Sequence, residues 1–224
     1  MCGRFTLSTD LDYLLDFFSI TDIPSDLDSR PNYNIAPSQP VLAVTMHSGH
    51  RHLNPFRWGL IPNWSRDSAV GYRMINARAE TLMQKKSFAP LLPGRRLAVL
   101  ADGFYEWKRE GNKKQPFRIA LESGEPFAMA GLWDRWKDPE GRPVVSCTII
   151  TTQANELVRS VHERMPVLLT PEGLAKWLEP KNEPPDVLRV LNAYDPDCMR
   201  MYPVSPAVNS PKNNDETLIQ EWKH

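Results

Sequence analysis

The sequence predicts an α+β fold, a single domain over residues 1–224 built on a curled, mostly antiparallel sheet system with short helices beside it. Three observations carry that expectation. From Arg95 onward, apolar and β-branched runs of strand length alternate with short segments of turn chemistry, as in successive antiparallel strands. Stretches with helical spacing are few and short. The chain also holds 21 prolines in 224 residues, which favours loops and extended segments over a helical bundle. No internal repeat, low-complexity linker or step in composition marks a domain boundary.

The elements follow in order. Leu11, Leu14, Leu15 and Phe18 recur at helical spacing behind "STD", and Thr9-x-x-Asp12 fits a capping box, so a short amphipathic helix is expected there. "IPSDLDSRPNYNIAPSQP" carries Pro24, Pro31, Pro37 and Pro40 and reads as a loop, not as a helix or a central strand. "VLAVTM" and "LNPFRWGL" are strands joined by a turn at His47–His50. "IPNWSRDSAVG" is a second loop, and "RMINARAET" reads as a strand end running into a helix that stops near "QKKS". Next comes a β-meander of "RRLAVLADGFYEWKRE", "QPFRIAL", "EPFAMAGLWDRW" and "RPVVSCTIITT", separated by "EGNKKQ", "ESGEP" and "DPEGR". "QANELVRSV" reads as a helix and "HERMPVLLT" as a strand. Thr170-Pro171 is an N-cap with proline at the first helical position. A further helix is expected near "PPDVLRVLNAY", and a polar loop with a short strand at the end.

Composition excludes some functions. Lys plus Arg and Asp plus Glu both number 27, so the net charge is zero and a bulk polyanion binder is not expected. Contacts to nucleic acid would have to come from a local arginine cluster. No run reaches the roughly 18 apolar residues of a membrane span, and the N-terminus lacks the profile of a signal peptide, so a cytoplasmic protein is expected. The 3 cysteines, Cys2, Cys147 and Cys198, lack the spacing of a disulfide framework or a structural zinc site. Cys147 lies in a β-branched run and reads as core.

Cys2 has the position that calls for a reason. Removal of Met1 would make it the N-terminus, with an α-amine and a thiol on adjacent carbons. Such a 1,2-aminothiol can condense with an aldehyde and close a five-membered ring, or act as an N-terminal nucleophile in amide hydrolysis. It can equally be a small hydrophobe packed under the sheet. Other stretches carry similar pairs of readings. Asn76, Arg78 and Glu80 alternate, as a polar face able to hold a phosphate or as an ordinary strand edge. Glu106, between large aromatics, is a desolvated acid/base or an ion-paired strand carboxylate. His162 is a proton shuttle or a structural histidine. Glu163 and Arg164 fit a surface pair. Trp58, Pro62 and Trp64 make an aromatic loop, which stacks on a base or forms a buried hairpin, with Trp58 assigned to the core. No histidine spacing supports a metal site.

Together "MCGRF", "YNIAP", "RWGLIPNW", "INARAET", "ADGFYEWK", "HERMPV" and "VSPAVNSPKNNDETLI" resemble, in order and spacing, the SOS-response-associated peptidase (SRAP) family. The resemblance implies a barrel-like β core and covalent capture of abasic sites in single-stranded DNA through Cys2, as a thiazolidine, with no cofactor. It implies that Glu106 is the acid/base, that His162 aids proton transfer at the sugar oxygen, and that Asn76 hydrogen-bonds the linked sugar. Arg4, Arg78 and Arg164 would grip flanking phosphates, while Asn34, Pro37 and Trp64 would line the groove. Ser65 stands where some members carry a second tryptophan. We expect a monomer. The alternatives are a cysteine peptidase or amidohydrolase with Cys2 as nucleophile, in one variant removing only its own Met1, and a non-covalent single-stranded DNA module. Abasic-site lyase activity through the amine is a side branch of the first reading.

Overall fold

Two β-sheets meet along one edge of the molecule, and short helices fill the connections. The computed structural model describes residues 2–111 and 113–223. Met1, Asn112 and His224 lie outside the described residues, and with them the expected removal of Met1 and the middle of the "EGNKKQ" turn.

The chain enters through β1 (Phe5–Leu7) and α1 (Leu11–Phe17). Leu14 and Phe18 are buried and Leu11 and Leu15 pack against the core, as their spacing predicts. The cap is Asp10 and not Thr9: Asp10 Oδ1 accepts from the Asp12 N–H at 2.9 Å. Thr9 is drawn away because its N–H and hydroxyl both donate to Asp102. The proline-rich segment contains an edge strand, β2 (Asn32–Ile35), paired with β1. Pro31 and Pro37 fall outside it, so no ladder N–H is lost to proline.

β3 (Pro40–His47) and β4 (His50–Trp58) form the expected hairpin. Ser48 and Gly49 sit at φ 50° and 82°, the left-handed pair that a tight two-residue turn of this hand requires. β5 (Asn76–Arg78) is brief and leads into a 3₁₀ turn over Ala79–Gln84 rather than an α-helix, with no side chain capping its start.

β6 (Arg96–Ala101), β7 (Gly103–Glu110), β8 (Lys113–Leu121), β9 (Phe127–Lys137) and β10 (Pro143–Gln153) correspond to the predicted runs, but they are not a simple meander. "RRLAVLADGFYEWKRE" is two strands in two sheets, broken at Asp102. β8 pairs with β7, whereas β9 returns to β6 and β10. The break follows from the Asp102 carboxylate, which collects hydrogen bonds from β1 and its continuation and turns the backbone out of the first ladder.

The larger sheet closes on itself through the pairs β4–β3, β3–β6, β6–β9, β9–β10 and β10–β4, making a five-stranded barrel. β10 also carries β5 in parallel and β11 (Arg164–Pro166) antiparallel, while β12 (Leu168–Leu169) extends from β9. α2 (Glu156–Arg159) is shorter than its helical signal. α3 (Pro171–Leu178) starts at the expected cap, with Thr170 Oγ1 accepting from the Gly173 N–H at 3.1 Å, and α4 (Pro184–Leu188) follows.

The smaller sheet runs β13–β8–β7–β1–β2, where β13 (Met199–Pro203) arises from a stretch without a strand signal. The strand expected at the end is a 3₁₀ turn over Glu216–Ile219 and a single Val204–Glu221 bridge.

One large core joins both sheets, and Cys147 is buried in it as predicted. Phe5 of β1 meets Trp58 of β4 edge to face, with centroids 5.1 Å apart. Such a pair contributes about 0.5–1.5 kcal/mol beyond the area it buries, and here it pins the sheets together. A smaller cluster of Tyr105, Val204, Val208 and Leu218 lies on the other face of β7, under the C-terminal loop.

Candidate active site

Four of the side chains singled out in the sequence converge where the sheets meet. Cys2 lies just before β1 and is fully buried. Its carbonyl accepts a hydrogen bond from Asn76 Nδ2 at 2.8 Å. Asn76 is held from behind: Trp58 Nε1 donates to the carbonyl of Ile75 at 2.9 Å, and β5 is registered on β10 with Asn76 opposite Ile149. The amide oxygen of the same side chain, Asn76 Oδ1, is buried with no hydrogen-bond partner among the described residues. An acceptor in that state suits a donor brought by a ligand.

Glu106 reaches the same place from β7, where Phe117 of β8 is its partner. It is 3% exposed, and burial holds its carboxyl above the usual carboxylate range, with His162 nearby acting the other way. Burial, and after it the Glu106 carboxylate, push the Cys2 thiol up to about 12. His162 follows α2 and precedes β11. The Arg164 N–H donates to its Nδ1 at 2.9 Å, and the Arg164 carbonyl lies 3.3 Å from the same nitrogen. The pieces are therefore a cysteine, a carboxyl whose pKa is raised, an imidazole oriented by the Arg164 backbone and an open amide acceptor.

The remaining predicted residues take different positions. Trp64 is 61% exposed and Arg78 is exposed on β5 next to Asn76. Pro37 is half-buried just past β2. Asn34 is buried: its Oδ1 accepts from Arg4 Nη1 at 2.7 Å, and its Nδ2 donates to the carbonyls of Ser210 and Asn213 at 2.9 and 2.8 Å. Arg4 also donates to the Val208 carbonyl at 2.8 Å. These two residues staple the C-terminal loop beside Cys2. Arg164 makes a bidentate pair with Glu80 at 2.7 and 2.9 Å and donates to the Thr151 carbonyl at 2.7 Å. Its ionic partner is thus Glu80 from across the sheet and not the adjacent Glu163, because the 3₁₀ turn after β5 brings Glu80 over β11. Glu80 is correspondingly held below its usual range by that hydrogen bond.

Sequence reasoning missed the loop around Val208–Asn213 as a wall of the site, and Asn209, which accepts from Trp107 Nε1 at 2.7 Å. Nothing in that polar stretch signals the contact, since its anchors lie far off in sequence at Arg4, Asn34 and Trp107. Among the described residues, no cluster of three or more His, Cys, Asp or Glu is arranged to hold a metal ion. No helix among them is long and apolar enough to cross a membrane.

Cys2, a carboxyl and an imidazole thus come together where the barrel and the second sheet join. Comparison with known proteins narrows this. Residues 1–211 match the family described as SOS response associated peptidase (SRAP), and the chain belongs to that family. It is 50% identical over 222 residues to the abasic site processing protein YoqW of Bacillus subtilis, covering 98% of this chain and 99% of that one. It is 35% identical to the abasic site processing protein YedK of Escherichia coli, over 98% of this chain and 99% of that one. The fold matches a crystal structure of a Bacteroides thetaiotaomicron protein with a TM-score of 0.89 at 28% identity, covering 99% of this chain and 100% of that one.

Proposed function

We propose that the protein captures abasic sites in single-stranded DNA as a covalent thiazolidine on Cys2, after Met1 has been removed. The observation that carries this reading is the convergence of Cys2 and Glu106, both buried, with Asn76 and His162, both half-buried, and an exposed arginine on the same short strand as Asn76. The relatives' names, abasic site processing proteins, point the same way.

The chemistry follows from the groups present. An abasic deoxyribose exchanges between a cyclic hemiacetal and an open aldehyde. Glu106, which keeps its proton above the usual carboxylate range, donates it to the ring oxygen as the ring opens with His162 assisting there, and the proton lost from the C1′ hydroxyl restores the acid form of Glu106. The α-amine of Cys2 then attacks C1′, and loss of one water gives the imine. The thiol adds to C1′, its proton passing to the imine nitrogen by way of Glu106, and the five-membered ring closes. The net change is aldehyde plus aminothiol to thiazolidine plus water. Asn76 Oδ1 accepts from the 4′-hydroxyl freed by ring opening. A trapped aldehyde no longer supports strand-breaking β-elimination.

The raised pKa of the Cys2 thiol supports this reading over a cysteine peptidase. Such an enzyme needs a thiolate poised near neutral pH, whereas burial and Glu106 disfavour the thiolate here. Amine first and sulfur second fits that order. Arg78 and Trp64, both exposed, would meet a flanking phosphate and a base. Arg4, Asn34 and Arg164 support the groove from inside, and Pro37 borders it.

The test is a denaturing gel of Met-trimmed protein with single-stranded DNA bearing one abasic site, beside Cys2→Ala. A heat-stable shifted band that requires both Cys2 and the abasic site is expected. Cys2→Ala keeps an amine at the terminus, so it should give strand cleavage in place of the stable band. No shifted band from protein whose free Cys2 is established by mass spectrometry would overturn the proposal.

A further inference from the structure

We propose that Asp102 is a positioning residue that fixes the register of β1 on β7, and with it the place of Cys2 against Glu106 within the site. Cys2 and Glu106 belong to the smaller sheet, through β1 and β7, whereas Asn76 and His162 belong to the barrel side, at β5 and just before β11. Asp102 is the one residue between β6 of the barrel and β7 of the smaller sheet.

Its carboxylate gathers the chain that follows Cys2. Oδ1 accepts from Thr6 Oγ1 at 2.5 Å. Oδ2 accepts from the N–H groups of Ser8 and Thr9 at 2.5 and 3.0 Å, and from their hydroxyls at 2.9 and 3.1 Å. The Asp102 N–H donates to the Thr6 carbonyl at 2.9 Å. From β8, Arg118 Nη2 donates to the Asp102 carbonyl at 2.9 Å, and its Nη1 donates to the Tyr202 hydroxyl of β13 at 2.9 Å. Gly103 leaves space for that guanidinium, because a Cβ there would stand 2.6 Å from it.

β1 needs this anchor. It spans Phe5–Leu7 and is registered on β7 at Phe5–Phe104 and Thr6–Gly103, with the Tyr105 N–H donating to the Arg4 carbonyl at 2.9 Å. A slip of so short a ladder by one residue would move Cys2 about 3.3 Å along the strand and reverse every side chain's face. A misplacement of about 1 Å already costs reacting groups on the order of a hundredfold in rate. The Asp102 carboxylate removes that freedom, since its donors at residues 6, 8 and 9 fit one register alone. As a mechanism the inference rests on the proposed chemistry at Cys2.

Two measurements on Asp102→Asn test it, with Thr6→Val as a milder second variant that deletes one of the five β1-side donors. The first is the crosslinking rate at saturating abasic DNA, at a temperature where circular dichroism shows each variant folded. A fall on the order of tenfold to a hundredfold is expected for Asp102→Asn, with the half-saturating DNA concentration unchanged, and a smaller fall for Thr6→Val. The second is peptide-resolved alkylation of Cys2 and Cys147 in the protein alone. Both thiols are buried, but only Cys2 depends on the anchor. Alkylation of Cys2 should accelerate while Cys147 stays protected. An unchanged crosslinking rate, or Cys2 and Cys147 accelerating together as in general loosening, would overturn the proposal. If the wild type forms no crosslink, the reading of its function fails, and the contrast between Cys2 and Cys147 still decides whether Asp102 positions the N-terminus.

Discussion

The hinge before β7 and the buried middle of β7 treat a carboxylate in opposite ways. At the hinge, Asp102 is surrounded by donors, and although burial works against its charge, the hydrogen bond from Thr6, the Arg118 charge and the bonds from Ser8 outweigh it and keep its pKa below the usual range. Four residues on, Glu106 is as deeply buried, and there desolvation dominates and its pKa rises. Depth alone thus predicts neither direction. What separates the two is whether the surrounding groups outweigh desolvation: at the hinge the bonds from Thr6 and Ser8 and the Arg118 charge do, and at the site desolvation prevails.

The sharpest way to break this contrast is Glu106→Gln. Loss of a general acid should lower the crosslinking rate on the order of 10²–10⁴-fold. The same change should stabilise the fold at neutral pH. Glu106 binds its proton more tightly folded than unfolded, so the stability it contributes is full below the ordinary carboxylate range and is lost as pH rises through its raised pKa. The stabilisation by Gln should therefore fade below about pH 4, which urea unfolding across pH would read. A variant that loses activity without gaining stability at neutral pH would contradict this account of Glu106.

Asp102→Ala should have the opposite effect on stability, costing about 3–5 kcal/mol at neutral pH because Arg118 is left buried without its anion. The sign is that of a depressed pKa: the stability is present above the unfolded value and is lost as pH falls through the folded one. The cost should accordingly shrink only below the usual carboxylate range, and equilibrium unfolding at pH 7 and in acid would check it. The smallest effect is expected away from both carboxylates. Trp64→Ala should weaken binding of single-stranded DNA by about 1–3 kcal/mol, the worth of one base stacked on an aromatic ring, and leave fold stability unchanged. Fluorescence anisotropy in the Cys2→Ala background would measure it.

Much of the architecture was legible because it is local. The 3.6-residue spacing of Leu11, Leu14, Leu15 and Phe18, the Thr170-Pro171 start of α3 and the tight turn between β3 and β4 are each set by neighbouring residues. The errors lie where a distant partner overrode a local preference. Thr9 has capping chemistry, but Asp102 takes its donors. The run through β6 and β7 reads as one strand, but the same carboxylate divides it between sheets. β13 has no strand signal of its own and forms because β8 offers an open edge.

The candidate site divides in the same way. Cys2, Asn76, Glu106 and His162 stood out as residue types in suggestive settings, and their resemblance to one family's motifs joined them before any geometry was known. The sequence by itself determined the composition, the order of most elements, the inventory of reactive groups and the family. Only the tertiary structure decided that the barrel closes through β9 and β10, that Asn34 and Arg4 staple a loop, that Glu80 holds Arg164, and that two buried carboxyls four residues apart have pKa values shifted in opposite directions. The physical reason is that spacing and propensity act over a few residues, whereas desolvation, ion pairing and sheet closure depend on groups that meet only once the chain has folded.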